Sequence, residues 1–245
     1  MVSLCPKLED MVNLVKIGAI VQSDAPIGLF GGGEIHSDDI KLVLNRVKTA
    51  VAADGGAAAL IDSGHVPDAV FGDFDSLPAH YRAQIPEDRL FQITEQDSTD
   101  FDKALRSICA PVVLGAGFLG ARVDHQLAAF NTLVRLQDRP CLLLGAHEIV
   151  FHAPPRIRLA LSAGDTVSLF PLRRVTGRSI GLEWPIDDLV LTPDGRVGTS
   201  NRALGQVTLE VDGPGLLAIV PRAALDQVMQ AFVSGQTGRW PVHAE

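Results

Sequence analysis

Along the first 150 positions the apolar residues fall into short runs, each ending in glycine or in polar turn residues and followed by a stretch of helical periodicity. Ile27-Gly28-Leu29-Phe30 runs into Gly31-Gly32-Gly33, and Val47 to Ala53 runs into Asp54-Gly55-Gly56. Pro67-Asp68-Ala69-Val70-Phe71 leads into Gly72-Asp73-Phe74-Asp75-Ser76, Leu90-Phe91-Gln92-Ile93 into a polar stretch from Gln96, and Val112-Val113-Leu114-Gly115 into a loop from Gly117 to Gly120. Runs this short, bounded by turn residues, read as buried strands. Helices are expected between them: from Ser37-Asp38-Asp39 to Asn45, over the alanine-rich run Ala57 to Ile61, and up to Ile108. A longer helix is expected from Arg122 to Leu136, its apolar stripe marked by Val123, Leu127, Phe130, Leu133 and Val134. Cys141-Leu142-Leu143-Leu144 closes the series. Strands alternating with helices predict an α/β domain, a mostly parallel sheet with helices on both faces.

After Ala153-Pro154-Pro155 the pattern changes. The elements become short and β-rich (157–161, 166–170, 174–179, 189–192, 206–211 and 216–220), separated by Ala163-Gly164-Asp165, Pro193-Asp194-Gly195 and Asp212-Gly213-Pro214-Gly215. Such spacing predicts a second, antiparallel β domain, with a terminal helix from Arg222 to Phe232. Residues 1–25 mix apolar and charged positions without periodicity and are expected to be a poorly ordered extension. The expected divisions are therefore 1–25, 26–153 and 154–245.

Composition narrows the function classes. With 47% hydrophobic and 20% charged residues the chain is an ordinary folded protein, with neither large-scale disorder nor an apolar stretch of membrane-spanning length. A net charge of −8 and only 5% aromatics argue against nucleic acid as a partner. Cys5, Cys109 and Cys141 are odd in number and far apart, which fits a reducing cytoplasm better than a disulfide or zinc framework. An acidic protein that handles phosphates must meet them through a metal ion, a few cationic side chains or backbone N–H groups.

The acidic residues supply such a site. Asp54, Asp73, Asp75 and Asp100 each follow a predicted strand, and ligands of open parallel sheets bind at the carboxyl ends of the strands. Asp73 and Asp75, two residues apart, are expected to point the same way from extended backbone, with Phe74 packing inward between them. Convergent carboxylates with no basic residue between them suit Mg²⁺. Alternatives stand beside this reading: the Asp-rich stretch is also ordinary turn composition, Gly31-Gly32-Gly33 is also a tight turn, and Thr99 with Asp102 resembles a capping box. Lys103 could reach a phosphate or lie solvated on its helix. Arg122, near Asp124 and His125 at a helix start, is placed to meet developing negative charge, whereas His125 on a helix is more commonly a packing residue.

In order and spacing, Ala53-Asp54-Gly55-Gly56, Gly72-Asp73-Phe74-Asp75-Ser76, Gln96-Asp97-Ser98-Thr99-Asp100-Phe101-Asp102-Lys103 and Arg122-Val123-Asp124-His125 resemble the thiamine pyrophosphokinases. Gly181-Leu182-Glu183-Trp184-Pro185 and Thr199-Ser200-Asn201 look like that family's thiamine-pocket motifs, so the resemblance runs from about Ile27 to Pro221. It implies an ATP-binding α/β domain, a C-terminal antiparallel β-sandwich and a homodimer with thiamine near the subunit interface. It further implies Mg²⁺-dependent transfer of pyrophosphate from ATP to thiamine. Asp73, Asp75 and Asp100 become the metal-centred set, with Asp54 close by. Gln96, Thr99 and Arg122 fall at nucleotide-phosphate positions, with Lys103, Asp124 and His125 beside them, while Trp184, Thr199, Ser200 and Asn201 fall at the thiamine pocket. Without the resemblance, Trp184 reads as a core aromatic and Thr199 to Asn201 as a polar turn. Ala58, Ala121 and Gly198 depart from the family's commoner residues. Other readings are a different hydroxymethyl acceptor, such as a pterin alcohol, and a binding-only nucleotide or thiamine sensor.

Overall fold

The short apolar runs become the strands of a parallel sheet in the computed structural model, which describes residues 19–120 and 122–242. The chain divides into two units, Met1–Thr132 and Leu133–Glu245. In chain order the first contains β1 (Val21–Gln22), β2 (Ile27–Phe30), α1 (Ser37–Leu44), β3 (Thr49–Ala53), α2 (Gly56–Asp62), β4 (Ala69–Gly72) and a single helical turn α3 (Ala79–Arg82). It continues with β5 (Leu90–Gln92), α4 (Asp100–Arg106), β6 (Ile108–Cys109), β7 (Val113–Ala116) and α5 (Val123–Arg135), whose last residues pass into the second unit. The order β7-β2-β3-β4-β5 is parallel throughout. Every residue of β2, β4 and β7 is buried, as a sheet covered on both faces requires.

Strand order reverses between β2 and β7, and a glycine loop follows each. The Gly31 amide donates to the Ala116 carbonyl at 2.8 Å and the Gly33 amide to that of Gly117 at 3.0 Å. A Cβ on Gly31 would lie 2.5 Å from the Phe118 ring and 2.7 Å from the Gly117 oxygen. Glycine is needed here so that the two loops can approach, at the point where open α/β sheets bind ligands.

Three expectations for this unit are corrected. Helix α4 stops at Arg106, and Ile108–Cys109 pairs in parallel with Val21–Gln22. The Ile20 and Val21 amides both donate to the Ser107 carbonyl (2.8 and 3.0 Å), and the Ser23 amide donates to that of Cys109 (2.9 Å). The last residues of the supposed loose extension are therefore fastened by backbone bonds; residues 1–18 lie outside the described residues. In α5 the apolar stripe is only half an inner face, since Val123 and Leu127 are 73% and 61% exposed while Leu133 and Val134 are buried.

The second unit contains β8 (Cys141–Leu144), β9 (Glu148–His152), β10 (Arg156–Ala160), β11 (Thr166–Pro171), β12 (Gly177–Leu182), β13 (Gly198–Val211), β14 (Leu216–Pro221) and α6 (Leu225–Val233). Its pairings are antiparallel. The long strand β13 belongs to two sheets: Gly198 to Arg202 pair with β11, and Gln206 to Glu210 pair with β10, while β12 pairs along the same later stretch. A strand that passes from one sheet to the other is a normal corner of a β-sandwich.

Strand β9 was not anticipated. It pairs with β14 over Glu148–His152 and with β8, so Cys141–Leu144 opens the antiparallel set instead of only closing the helix-alternating series. Leu189–Thr192 forms no strand; it meets its neighbours at a single bridge, Val175 to Leu191, because Asp187-Asp188 and Pro193 leave too short an apolar run. Among the described residues no helix is long and apolar enough to cross a membrane.

Candidate active site

Three carboxylates meet at the carboxyl end of the parallel sheet. Asp54, Asp73 and Asp75 each offer an oxygen, and these oxygens all lie within 4.8 Å of one another. Asp54 follows β3 at φ +41°, and its amide donates to the Phe71 carbonyl at 2.8 Å. A Cβ on Gly72 would fall 2.9 Å from that of Asp54, so the glycine at the end of β4 permits the approach. The Ser76 amide donates to Asp54 Oδ2 at 3.2 Å. Asp54 Oδ1 is buried with no hydrogen-bond partner.

Asp73 and Asp75 converge through a turn and not, as expected, through extended backbone. Phe74 takes φ +68°, and the Asp75 amide donates back to Asp73 Oδ1 at 3.3 Å, a local closure that short polar side chains favour. The Ser76 hydroxyl donates to Asp75 Oδ1 at 2.9 Å. Phe74 is buried, as expected, and the Arg82 guanidinium of α3 lies 5.0 Å above its ring. Arg82 carries no motif that sequence reasoning could have used.

Electrostatics separate the three acids. Burial pushes the Asp54 carboxyl up to about 6, with Asp100 and Asp75 adding to the rise and the Ser76 amide opposing it. Asp73 is held below the usual range by the Asp75 amide and by Lys103. A buried carboxylate oxygen without a donor, beside two further carboxylates, fits a hard divalent cation.

Asp100 lies outside this group of three. It and Asp73 flank Lys103, whose ammonium is 3.2 Å from Asp100 Oδ1 and 3.4 Å from Asp73 Oδ2. Lys103 is only 2% exposed, so the solvated alternative is wrong. Burial pulls its pKa down, but bonds and charges from Asp100 and Asp73 outweigh this and hold it above the ordinary value. Thr99 caps α4 by accepting from the Asp102 amide at 3.3 Å. Gln96 is exposed on the loop before it, its amide donating to the Thr94 carbonyl at 3.4 Å.

Arg122 and Asp124 bind each other at 2.6 Å on an exposed surface, which holds the Asp124 carboxyl down at about 2. His125 is exposed on the first turn of α5. In the second unit Trp184 is 53% exposed, not a core aromatic. Asn201 is buried and grips the Trp184 backbone from both sides: Oδ1 accepts its amide at 3.1 Å and Nδ2 donates to its carbonyl at 2.6 Å. Thr199 and Ser200 are exposed, within strand β13 instead of a free turn. Ser200 has φ +62°, and its amide donates to Ser168 Oγ at 3.0 Å.

Comparison with known proteins covers both units. Residues 40–143 match the family model described as the catalytic domain of thiamin pyrophosphokinase, and residues 149–216 match its vitamin B1 binding domain. Thiamine pyrophosphokinase 1 of Oryza sativa is 25% identical over 194 residues, which is 65% of this chain and 74% of that protein. Two solved structures share the fold. Thiamin pyrophosphokinase from Candida albicans has a TM-score of 0.68 at 16% identity, covering 84% of this chain and 94% of its own. That from Bacillus subtilis has a TM-score of 0.64 at 22% identity, covering 80% and 98%.

Proposed function

The chain belongs to the thiamin pyrophosphokinase family, and from that premise we propose that it transfers pyrophosphate from ATP to the primary hydroxyl of thiamine, giving thiamine diphosphate and AMP. The hydroxyl oxygen bonds to the β-phosphorus and gives up its proton to a carboxylate or water beside it, the bond from that phosphorus to the oxygen bridging to the α-phosphate breaks, and AMP departs with the electron pair. Such a transfer depends on alignment and charge neutralisation more than on covalent help. The observation that carries the reading is the carboxylate trio with its partnerless buried oxygen. Neither a pterin acceptor nor a binding-only sensor is favoured by matches to both a catalytic and a vitamin B1 binding model.

Asp54, Asp73 and Asp75 would hold Mg²⁺, which supplies neutralisation of the phosphate oxygens when bound. Asp100, fixed by Lys103, keeps a further carboxylate beside them, and Lys103 limits the repulsion among the acids. Gln96, Thr99 and Arg122 are proposed to meet the phosphates, Arg122 by exchanging Asp124 for a phosphate oxygen. Asp124 thereby becomes the group that parks Arg122, and His125 remains an adjacent donor. Trp184, Thr199 and Ser200 are proposed to contact thiamine, with Asn201 setting the direction of the Trp184 backbone. We further propose a cytoplasmic homodimer.

The experiment is a product assay with ATP, Mg²⁺ and thiamine. AMP with thiamine diphosphate is the expected outcome; ADP would indicate ordinary kinase chemistry, and no turnover would exclude thiamine as acceptor. Light scattering should return twice the 26.1 kDa chain mass, and the monomer mass would remove the dimer.

A further inference from the structure

The loop from β5 to the N-cap of α4 flanks the acidic turn, and it has no regular secondary structure of its own. Its first residue is tied to the turn by the Ile93 amide donating to the Gly72 carbonyl at 2.8 Å, and Gln92 Nε2 donates to the Asp73 carbonyl at 3.3 Å. Its last residue is the cap Thr99. Both ends of the segment are thus held beside the acidic turn, and between them Gln96 is exposed. What fixes its path is a set of charges beneath it.

Glu95 Oε1 lies 2.6 Å from Arg106 Nη2 and also accepts the Ser98 hydroxyl. These two contacts hold its carboxyl below the usual range, Ser98 contributing most. A half-exposed ion pair alone would be worth little. Arg106, however, also faces Asp102, one turn earlier on α4, at 3.9 Å. Asp102 is buried, accepts from the Thr132 hydroxyl at 3.4 Å, and donates its amide to Thr99. The guanidinium is therefore directed from below by a carboxylate that cannot swing into solvent, while its outer edge takes the loop. The same short helix presents Lys103 and Asp100 to the acidic site and Asp102 and Arg106 to the loop, through the i,i+3 and i,i+4 neighbours that helical spacing provides.

We propose that Asp102, Arg106 and Glu95 form a positioning clamp that holds residues 93–99 over the acidic site and so sets the affinity for the ATP polyphosphate. None of the three touches substrate; they act through the placement of the loop. The kinetic consequence rests on the ATP-dependent reading given above, whereas the effect on the loop itself does not. Loss of a positioned binding element weakens ground state and transition state alike, so the expected signature is a raised KM with kcat nearly kept.

The test compares Glu95→Ala, Arg106→Gln, Arg106→Lys and the double variant Glu95→Ala/Arg106→Gln in the full chain. With thiamine and Mg²⁺ saturating, KM for ATP should rise about tenfold in each of Glu95→Ala and Arg106→Gln, with kcat within about threefold of wild type. The double variant should be no worse than the poorer single one, and Arg106→Lys should recover part of the loss. Hydrogen exchange over residues 93–99 should quicken in both single variants without substrate. Should Arg106→Gln fail to fold because buried Asp102 loses the guanidinium beside it, Glu95→Ala decides, since it leaves the Asp102–Arg106 pair intact. Wild type that turns over no thiamine would sink the assigned reaction but not the clamp, which exchange would then decide. Exchange and ATP KM both at wild-type values in Glu95→Ala would overturn the clamp, as would equal losses in kcat and kcat/KM.

Discussion

The Ser76 amide reaches back to donate to Asp54 Oδ2 at 3.2 Å, joining the turn after β3 to the turn after β4 across 22 residues of sequence. That bond satisfies one oxygen of a buried carboxylate that stands beside the acids of the second turn, while its other oxygen has no hydrogen-bond partner. Burial with incomplete hydrogen bonding is costly to the ionised form, so the feature that suits a cation also burdens the metal-free fold.

Metal-free stability should therefore fall with rising pH on account of Asp54. Its folded-state pKa, about 6, exceeds the ordinary 3.8, so the native state binds this proton more tightly than the unfolded chain. The resulting stabilisation is complete below about pH 4 and lost as pH passes through about 6. Asp54→Asn mimics the protonated form, and Asn tolerates φ +41°. Urea unfolding without metal should find this variant more stable than wild type at pH 7, by about 3 kcal/mol. The gap should close near pH 4, and a gap that is constant with pH would contradict the assignment.

Asp75→Asn should lower turnover by a factor of about a hundred or more while leaving the fold intact, because Asp75 is exposed and its substitution strands no buried group. Circular dichroism and thermal unfolding check the fold, and the AMP assay checks the rate. Near-normal turnover would remove Asp75 from the metal site.

Trp184 and Asn201 should separate binding from architecture. Trp184→Ala should raise KM for thiamine about tenfold or more without raising that for ATP, at little cost in Tm, since the ring is half exposed. Asn201→Ala strips the Trp184 backbone of two bonds and should destabilise the protein by about 1–3 kcal/mol. Denaturant titration of both variants beside their thiamine kinetics makes the comparison.

Gly56→Ala should be among the most damaging small substitutions in the first unit. A Cβ there would lie 2.1 Å from the Phe30 carbonyl oxygen and 2.6 Å from its carbon, where backbone must move to accept it. A loss of about 3 kcal/mol is expected from urea unfolding.

Much of this was legible in the chain because its punctuation is local. Ile27–Phe30 followed by three glycines, and Asp54-Gly55-Gly56 after an apolar run, mark strand ends by composition alone, and these strand ends are where the acids sit. What escaped was whatever depends on a distant partner. Val21–Gln22 is a strand only because Ile108–Cys109 lies beside it. Glu148–His152 is fixed by pairing with Leu217–Pro221, far along the sequence. Asp54 was expected near the acids but not inside the trio, since only the fold brings its carboxylate within 4.8 Å of those of Asp73 and Asp75. Lys103 looked like a surface lysine because nothing in a helix heptad says that two carboxylates and a protein interior await its ammonium.

Strand β13 bears on how the second unit comes apart. Its early residues are stitched to Thr166–Leu169 and its later ones to β10 and β12, so neither layer of the sandwich owns the strand. Peeling one layer away drags on the backbone that completes the other, so the two layers of the unit are expected to lose their structure together.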